Sequence, residues 1–357
     1  IHAVPMAGAA AGVVVAGFFL LPSYRVPTVL AMLAGTLAIA AFLSIGPGFR
    51  KRAAVVALAI VTGGFFLASP KPRPKELLVA KSDDGRDLRV VSHEGSRYLF
   101  VDQALQSTVN AQGRTEEKYL YFLASRLILA RPQMKSAALV GLGGAGVIPL
   151  LREHHVDVDC VDPSAHALEL ARAHLGLSLP DSQVHAVEGR FFLQSHPARF
   201  DSVILDVFTG ERPTVTLATV EGLTAAKTAL ARGGILALNT WAFDQDRRVP
   251  NPAGAAIYAS LWQVFSQVLA VPTSENLLFF ASDLPIQPQR SSALLTAFDV
   301  PRHFTWLPVP ALSWPAAPVL TDESNPLGTL EIAALESLRQ SLRTCYPPSV
   351  RDALVWE

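Results

Sequence analysis

The fold is decided by ten residues, 137–146, which read AALVGLGGAG. The first four are apolar and predict a buried strand, and the next six form a G-x-G-x-x-G pattern ahead of a helix that begins near Val147. Such glycines let the backbone approach a dinucleotide or the adenosine part of an S-adenosyl sulfonium. Asp162 follows Gly141 by 21 residues, where it either binds ribose hydroxyls or caps the helix that begins near Ser164.

Strands and helices alternate on the carboxyl side of this turn. We predict strands at 156–161, 184–187, 202–205 and 234–238, and helices at 164–175 and 217–231. This alternation predicts a mostly parallel, doubly wound sheet with ligands at the carboxyl ends of its strands. Upstream, alternating residues at 87–91 and 97–101 predict a hairpin, and 115–129 has helical periodicity.

The front of the chain differs in composition from the rest. Residues 1–75 contain seven basic residues and no acid, and they include three apolar runs at 3–21, 26–45 and 53–68. Each run is close to the ~20 residues with which a helix crosses a bilayer. We therefore expect about three transmembrane helices in 1–70, a linker at 71–84, a small β-domain with a lid helix at 85–130 and a Rossmann-like domain at 131–357. The lipid bilayer, as the inner or plasma membrane, is then a partner.

Charge and cysteine counts exclude other classes of protein. The whole chain has 30 basic and 30 acidic residues, so the 282 residues after Lys75 hold 23 basic and 30 acidic ones. A nucleic-acid binder needs a basic excess, which this part lacks. Two cysteines are too few for a disulfide scaffold or a zinc cluster, and the histidines form no convergent set, so we predict no metal.

Two further strand ends carry acids that face the expected ligand crevice. Glu188 and Gly189 follow the third strand, where the carboxylate either accepts from an adenine amino group or caps a helix. Asp206 ends the fourth strand and is followed by a loop. An acid at that position points into the crevice at the carboxyl ends of the strands.

Taken in order, these motifs resemble the spermidine synthase (polyamine aminopropyltransferase) family, in particular its membrane-fused branch. The resemblance covers roughly 85–330. It is carried by YLFVD (98–102), QST (106–108), EKY (117–119), GLGGAG (141–146), VDP (161–163), EGR (188–190), DSVILD (201–206), GGIL (233–236) and VLTDESNPL (319–327).

The resemblance implies transfer of an aminopropyl group from decarboxylated S-adenosylmethionine to an amine, with release of methylthioadenosine. It implies that the Asp206 carboxylate takes the amine proton, that no cofactor is needed beyond the donor, and that the protein is a homodimer. Because S-adenosylmethionine and its decarboxylated form are both cytosolic metabolites, we expect the catalytic domain on the cytoplasmic face of the membrane. The implied donor-binding residues are Gln106, Gly141, Gly143, Asp162, Glu188 and Gly189. The implied acceptor pocket contains Tyr119, Tyr121, Thr209 and Asp322.

Three positions depart from the family pattern. Cys160 stands where the family usually has a ribose-binding Glu, Tyr119-Leu120-Tyr121 replaces a Tyr-His-Glu triplet, and Thr209 replaces a second acid. Because the missing acids would hold the ammonium groups of a polyamine, three alternatives stay open. They are a lyase or cyclase that releases methylthioadenosine without an acceptor, a methyltransferase, and a non-catalytic S-adenosyl sensor.

Overall fold

The computed structural model describes residues 74–83, 86–209, 212–213, 216–240, 243–244, 249–273, 276–286, 314–330 and 348–354. Contacts divide the chain into two units, 1–74 with 355–357 and 75–354, and all described residues except Pro74 belong to the second unit. The second unit contains both a small sheet and a large one.

The predicted fold class needs one correction. Among the described helices, none is long and apolar enough to cross a bilayer. The longest have 13 residues, whereas a span needs ~20. The α/β part of the predicted fold class stands and its transmembrane helices are withdrawn. The three apolar runs behind that prediction lie at 3–68, outside the described residues.

The small sheet is an antiparallel meander of four strands in the order β1-β2-β3-β4. Its strands are β1 Leu77–Asp83, β2 Arg86–His93, β3 Ser96–Val101 and β4 Ala104–Val109. The hairpin predicted at 87–101 is its centre, with Leu88 opposite Val101 and His93 opposite Ser96. The tight turn between them places Glu94 and Gly95 at positive φ, 49° and 86°. Helix α1, Lys118–Ala130, follows the sheet.

The remaining strands belong to a seven-stranded sheet and two short ladders. In chain order they are β5 Ser136–Val140, β6 Asp157–Val161, β7 Val184–His185, β8 Phe200–Leu205, β9 Phe208–Thr209, β10 Arg212–Pro213, β11 Leu230–Thr240, β12 Phe243–Asp244, β13 Val249–Pro250, β14 Gln267–Pro272 and β15 Leu277–Ser282. The large sheet has the order β14-β15-β11-β8-β5-β6-β7, while β9 pairs with β10 and β12 with β13. Strands β7, β6, β5, β8 and β11 are parallel, and β15 runs antiparallel to both β11 and β14.

Short helices connect these strands. They are α2 Val147–Arg152, α3 Ala165–His174, α4 Gly189–Ser195, α5 Val220–Ala229, α6 Pro252–Val264, α7 Leu327–Leu330 and α8 Pro348–Leu354. Four begin with side-chain caps that the sequence supplies: Ser164 accepts from Ala167 N–H, Glu188 from Phe191 N–H, Thr219 from Gly222 N–H, and Asn251 from Gly254 N–H. Such caps satisfy amide groups that have no partner inside the helix.

The strand order places the ligand crevice. From β5 the chain adds β6 and β7 on one side and then returns to β8 on the other side of β5. Sheets wound in this way bind ligands beyond the carboxyl ends of the strands at the point where the strand order reverses, so we expect the ligand crevice at the ends of β5 and β8. Gly141 and Asp206 are the first residues after β5 and β8. Alternating side chains fill a core on each face, Leu139 and Ile204 on one and Val140 and Leu205 on the other.

Candidate active site

Asp206 is the centre of the candidate site. It follows β8, its exposed fraction is 0%, and its backbone N–H donates to the carbonyl of Val140 at 2.9 Å. Each carboxylate oxygen accepts one hydrogen bond: Oδ2 from the Tyr119 hydroxyl and Oδ1 from Asn239 Nδ2, both at 2.7 Å. The backbone of β8 and two neighbouring side chains thus fix the position of the carboxylate.

Burial and hydrogen bonding act in opposite directions on Asp206. Burial raises the pKa of its carboxyl group, the bonds from Asn239 and Tyr119 lower it, and the resulting pKa is about 6. The pKa of Tyr119 lies well above 10, because the phenol is desolvated and faces the negative charge of Asp206. At neutral pH the pair is therefore an ionised carboxylate and a neutral phenol, so Asp206 is able to accept a proton.

The glycine turn packs directly on Asp206. Gly141 has φ +98°, and a Cβ there would lie 2.2 Å from the carbonyl oxygen of Asp206. At Gly143 a Cβ would be 3.2 Å from the same oxygen and 3.6 Å from the carboxyl carbon. The turn needs glycine at 141 both for its backbone conformation and for this close approach. It brings the backbone of Gly143 beside the carboxylate.

Asp162 braces the turn. It follows β6, and its carboxylate accepts from Ser164 N–H at 2.9 Å and from Leu142 N–H at 3.3 Å. Helix α3 is capped by the Ser164 hydroxyl, 2.9 Å from Ala167 N, and not by Asp162. The cap of α3 therefore belongs to Ser164, and ribose binding by Asp162 stays a prediction.

Glu188 and Gly189 lie after β7 at the start of α4. The exposed Glu188 carboxylate accepts from Phe191 N–H at 2.9 Å, so this acid does cap a helix. Gly189 is buried against β5, where a Cβ would be 2.3 Å from Val140 Cγ1. The pair reaches the same edge of the sheet as Asp162. A contact between Glu188 and adenine stays a prediction.

The other predicted residues fall in different places. Gln106 is partly buried in β4, the strand that packs on the turn at 142–144. Tyr121 donates to the carbonyl of Thr115 at 3.0 Å. Asp322 accepts from Arg190 at 2.7 Å and from Thr219 at 2.8 Å, so it joins the segment 314–330 to α4 and α5. The backbone of Thr209 lies in β9, and its side chain is outside the described part of the structure.

The chain has relatives among proteins of known activity. No protein-family model matches the chain. A polyamine aminopropyltransferase of Vibrio vulnificus is 25% identical over 282 residues, which cover 72% of this chain and 88% of the relative. A polyamine aminopropyltransferase 2 of Pseudomonas aeruginosa is 30% identical over 185 residues, 48% of this chain and half of the relative. The chain is spermidine synthase-like.

The fold of this spermidine synthase-like chain agrees with a solved structure. A probable spermidine synthase from Corynebacterium glutamicum aligns with a TM-score of 0.51 at 18% identity, over 61% of this chain and 84% of that one. At this identity the likeness shows the fold alone. The resemblance predicted from the motifs is thus confirmed at family level, while the roles of individual residues rest on the geometry above.

Two residues near Asp206 were missed by sequence reasoning. Asn239 and Asn276 are 3% and 2% exposed, and Asn276 Nδ2 donates to Asn239 Oδ1 at 2.9 Å. Asn239 interrupts an apolar strand one residue beyond the predicted 234–238, at the same sheet edge as Asp206, and that polar break was a usable signal. Asn276 had none, because its strand and the direction of that strand were not predicted.

Cys160 lies inside the core. Its thiol is buried, and burial together with the nearby charge of Asp162 raises its pKa to about 12. A thiol with this pKa is not ionised at neutral pH, so Cys160 is no nucleophile there. Within the described ranges, no three His, Cys, Asp or Glu residues are grouped so that they could hold a metal ion.

Proposed function

We propose that the chain is an aminopropyltransferase, which transfers the aminopropyl group of decarboxylated S-adenosylmethionine to an amine and releases methylthioadenosine. The observation that carries the proposal is the buried Asp206 carboxylate, held by Tyr119 and Asn239 at the carboxyl end of β8, beside the glycine turn. The named activity of the Vibrio vulnificus and Pseudomonas aeruginosa relatives supports a transferase of this class.

The chemistry is a substitution at carbon. The acceptor nitrogen bonds to the carbon next to sulfur, the carbon–sulfur bond breaks, and its electron pair neutralises the sulfonium as a thioether. The nitrogen then carries a positive charge and loses one proton, which Asp206 accepts. A carboxyl group with a pKa of about 6 is ionised at pH 7 and is a stronger base than an ordinary aspartate. Because the leaving group departs neutral, we propose no metal or further cofactor.

We place the donor along the edge formed by the glycine turn, Asp162 and the Glu188–Gly189 pair, with Gln106 beside the turn. Holding the donor and the amine in line supplies a large part of the rate enhancement in reactions of this kind. Tyr119 lies next to the reacting position, since its hydroxyl is bonded to Asp206. Tyr121 donates a hydrogen bond to Thr115, and Asp322 accepts one from Arg190. We therefore leave both residues out of the proposed acceptor pocket.

A product assay tests the proposal. The purified protein is incubated with S-adenosylmethionine or its decarboxylated form, with and without putrescine, and the adenosine products are identified by mass. We expect methylthioadenosine from the decarboxylated donor only when an amine is present. Release without an amine would overturn transfer in favour of internal cleavage, and S-adenosylhomocysteine would overturn it in favour of methyl transfer.

The Asp206→Asn variant should lose turnover by at least about 100-fold, because general-base catalysis contributes on that order. Asp201→Asn is its matched control. Asp201 is the second residue of the same strand, at the end opposite to Asp206, where it accepts from Lys135 N–H at 2.8 Å, so that variant should keep its rate. Equal rates for wild type and Asp206→Asn would remove Asp206 from the mechanism. Homodimer formation and a cytoplasmic position of the unit 75–354 stay predictions.

A further inference from the structure

Four side chains form one hydrogen-bonded line across the large sheet. Asn276 at the start of β15 donates to Asn239 in β11, Asn239 donates to Asp206 after β8, and Tyr119 of α1 donates to the other oxygen of Asp206. The separations are 2.9, 2.7 and 2.7 Å. The two asparagines and Asp206 are nearly inaccessible to solvent, so water cannot readily replace a missing partner in this line.

We propose that Asn276 is a positioning residue for the reaction, which fixes the orientation of the Asn239 amide and thereby holds Asp206 as a proton acceptor. The inference rests on the proposed function, since it takes Asp206 to be the base. It assigns a role to a residue two strands away from the carboxylate that has no direct contact with it.

The argument starts from the two ends of the Asn239 side chain. A carboxamide presents a donor at one end and an acceptor at the other, and it fits its site in two orientations. The Nδ2 of Asn276 only donates, so the oxygen of Asn239 must face it and the Asn239 amino group must face Asp206. In the reverse orientation two oxygens would meet at Asp206 and two amino groups at Asn276. Buried groups without partners cost more than the hydrogen bonds themselves contribute.

Asn276 is itself held by the turn between β14 and β15. Its backbone N–H donates to Thr273 Oγ1 at 2.9 Å, and its carbonyl accepts from Thr273 N at 2.7 Å and from the Thr273 hydroxyl at 3.1 Å. The backbone from which the Asn276 side chain extends is therefore held by Thr273, the residue that follows β14. This geometry explains how the antiparallel pair β14 and β15, distant from the glycine turn, takes part in the site.

Asn276 affects the reaction through the balance between the ionised and the protonated form of Asp206. A donor to a carboxylate stabilises the ionised form, and burial opposes it. Without Asn276 the Asn239 amide is free to turn its oxygen to Asp206, one donor is lost, and burial prevails. The carboxyl group then stays protonated to higher pH, so a smaller fraction of the protein carries an ionised Asp206 near neutral pH. The rate returns when the pH is raised.

The test is the pH profile of kcat/KM for Asn276→Leu and Asn276→Ser in the full chain. We expect the acidic limb of the pH profile of both variants to move to higher pH by about one unit, which is roughly a fivefold loss of rate at pH 6 and approaches tenfold at lower pH. Above pH 8 the rates should come within about twofold of wild type. Two variants are used because the leucine and serine side chains stress the core in different ways.

Ser282→Ala is the matched control. Ser282 is a buried polar residue at the other end of β15, and its hydroxyl donates to the carbonyl of Gly234 at 2.9 Å. Its loss should lower the melting temperature without moving the limb. If the Asn276 variants lose rate equally at every pH, or if their limb coincides with that of Ser282→Ala, the positioning role is overturned.

A second measurement separates this inference from the proposed function. The ¹³C resonance of the Asp206 carboxyl, assigned by its absence in Asp206→Asn, is titrated in wild type and in both Asn276 variants without substrate. A titration midpoint raised in the variants supports the inference even where the wild type transfers no aminopropyl group. An unchanged midpoint in an active enzyme overturns the inference and leaves the proposed function standing.

Discussion

Asp206 shows how a single residue couples catalysis to stability. Its pKa is raised by burial from 3.8 to about 6, so the folded state holds the proton more tightly than the unfolded chain does. The stabilising effect of the protonated group is complete below pH 4 and is lost as the pH rises through 6. A base of useful strength is thus obtained at the expense of stability at neutral pH.

Replacing Asp206 by Asn removes this pH dependence. Relative to wild type, we expect the free energy of unfolding of Asp206→Asn to rise by roughly 3 kcal/mol between pH 4 and pH 8, which corresponds to two pKa units. Urea denaturation of both proteins at the two pH values measures it. The geometry tolerates the change, because the Tyr119 hydroxyl has a second acceptor in the carbonyl of Gly143 at 3.4 Å.

Asp201→Asn should give the opposite sign. Burial raises the pKa of Asp201. The hydrogen bond from the Lys135 N–H and the charge of the Arg131 guanidinium lower the pKa by more than burial raises it, so the pKa lies below its ordinary value. Its contribution is present above pH 4 and lost in acid, so this variant should lose relatively more stability at pH 8 than at pH 4. The same sign for both variants would contradict the account of Asp206.

The sequence could predict the residues that belong to local patterns. Gly141 and Asp162 lie at a fixed spacing around one βαβ unit, and Asp206 lies at a strand end, so the neighbouring residues suffice to place them. The line from Asn276 through Asn239 depends on which strands are adjacent. The strand order is a property of the tertiary fold, and the residues near Asn276 in the chain do not predict it.

At the level of elements, the glycine turn after β5 packs closely on the end of β8. Gly141→Ala would place a methyl group 2.2 Å from the Asp206 carbonyl oxygen in a residue with φ +98°. Backbone strain and overpacking together should lower the free energy of unfolding by roughly 2–4 kcal/mol. Because the displaced atom belongs to Asp206, turnover should fall as well. Urea denaturation and the product assay measure the two effects.

Gly328→Ala is the control for this prediction. Gly328 lies in α7, and a Cβ there meets nothing within 4 Å. Its stability should be unchanged or slightly higher, since alanine favours a helix over glycine. A Gly141→Ala protein as stable and active as Gly328→Ala would show that the turn does not need its glycine.

The parallel strands of the large sheet were predictable, and its antiparallel edge was not. Strands β5, β6, β7, β8 and β11 each precede or follow a helix with a clear period, and all five were expected, with bounds that differ by a few residues. Strand β15, in contrast, is the apolar run LLFFAS with all six residues buried. A run without alternation does not reveal its direction. The antiparallel edge that carries Asn276 was therefore missed.

Within the unit 75–354, the segment 314–330 contacts several helices, although it contains only the short helix α7 and no strand. The Trp314 ring stacks on Tyr258 of α6 at 3.7 Å between centroids and 4° between planes. The N–H of Leu320 donates to Ser260 Oγ at 2.8 Å, and Asp322 forms an ion pair with Arg190 of α4. The segment thus fastens the helices that cover one face of the sheet, and the pKa of Asp322 is lowered by its bonds to Arg190 and Thr219.

We expect the stack to contribute to the stability of the entire unit. In a double-mutant cycle, Trp314→Leu and Tyr258→Leu should show a coupling free energy of about 1 kcal/mol. Trp262 is the matched control, as it is exposed and meets the same Tyr258 ring edge-on at 6.1 Å. Its coupling with Tyr258 should be smaller. Urea unfolding followed by far-ultraviolet circular dichroism reads the global transition, and in Trp314→Leu that transition should move as a single step. A separate early step, with the main transition unmoved, would mean that 314–330 is attached to the sheet without stabilising it.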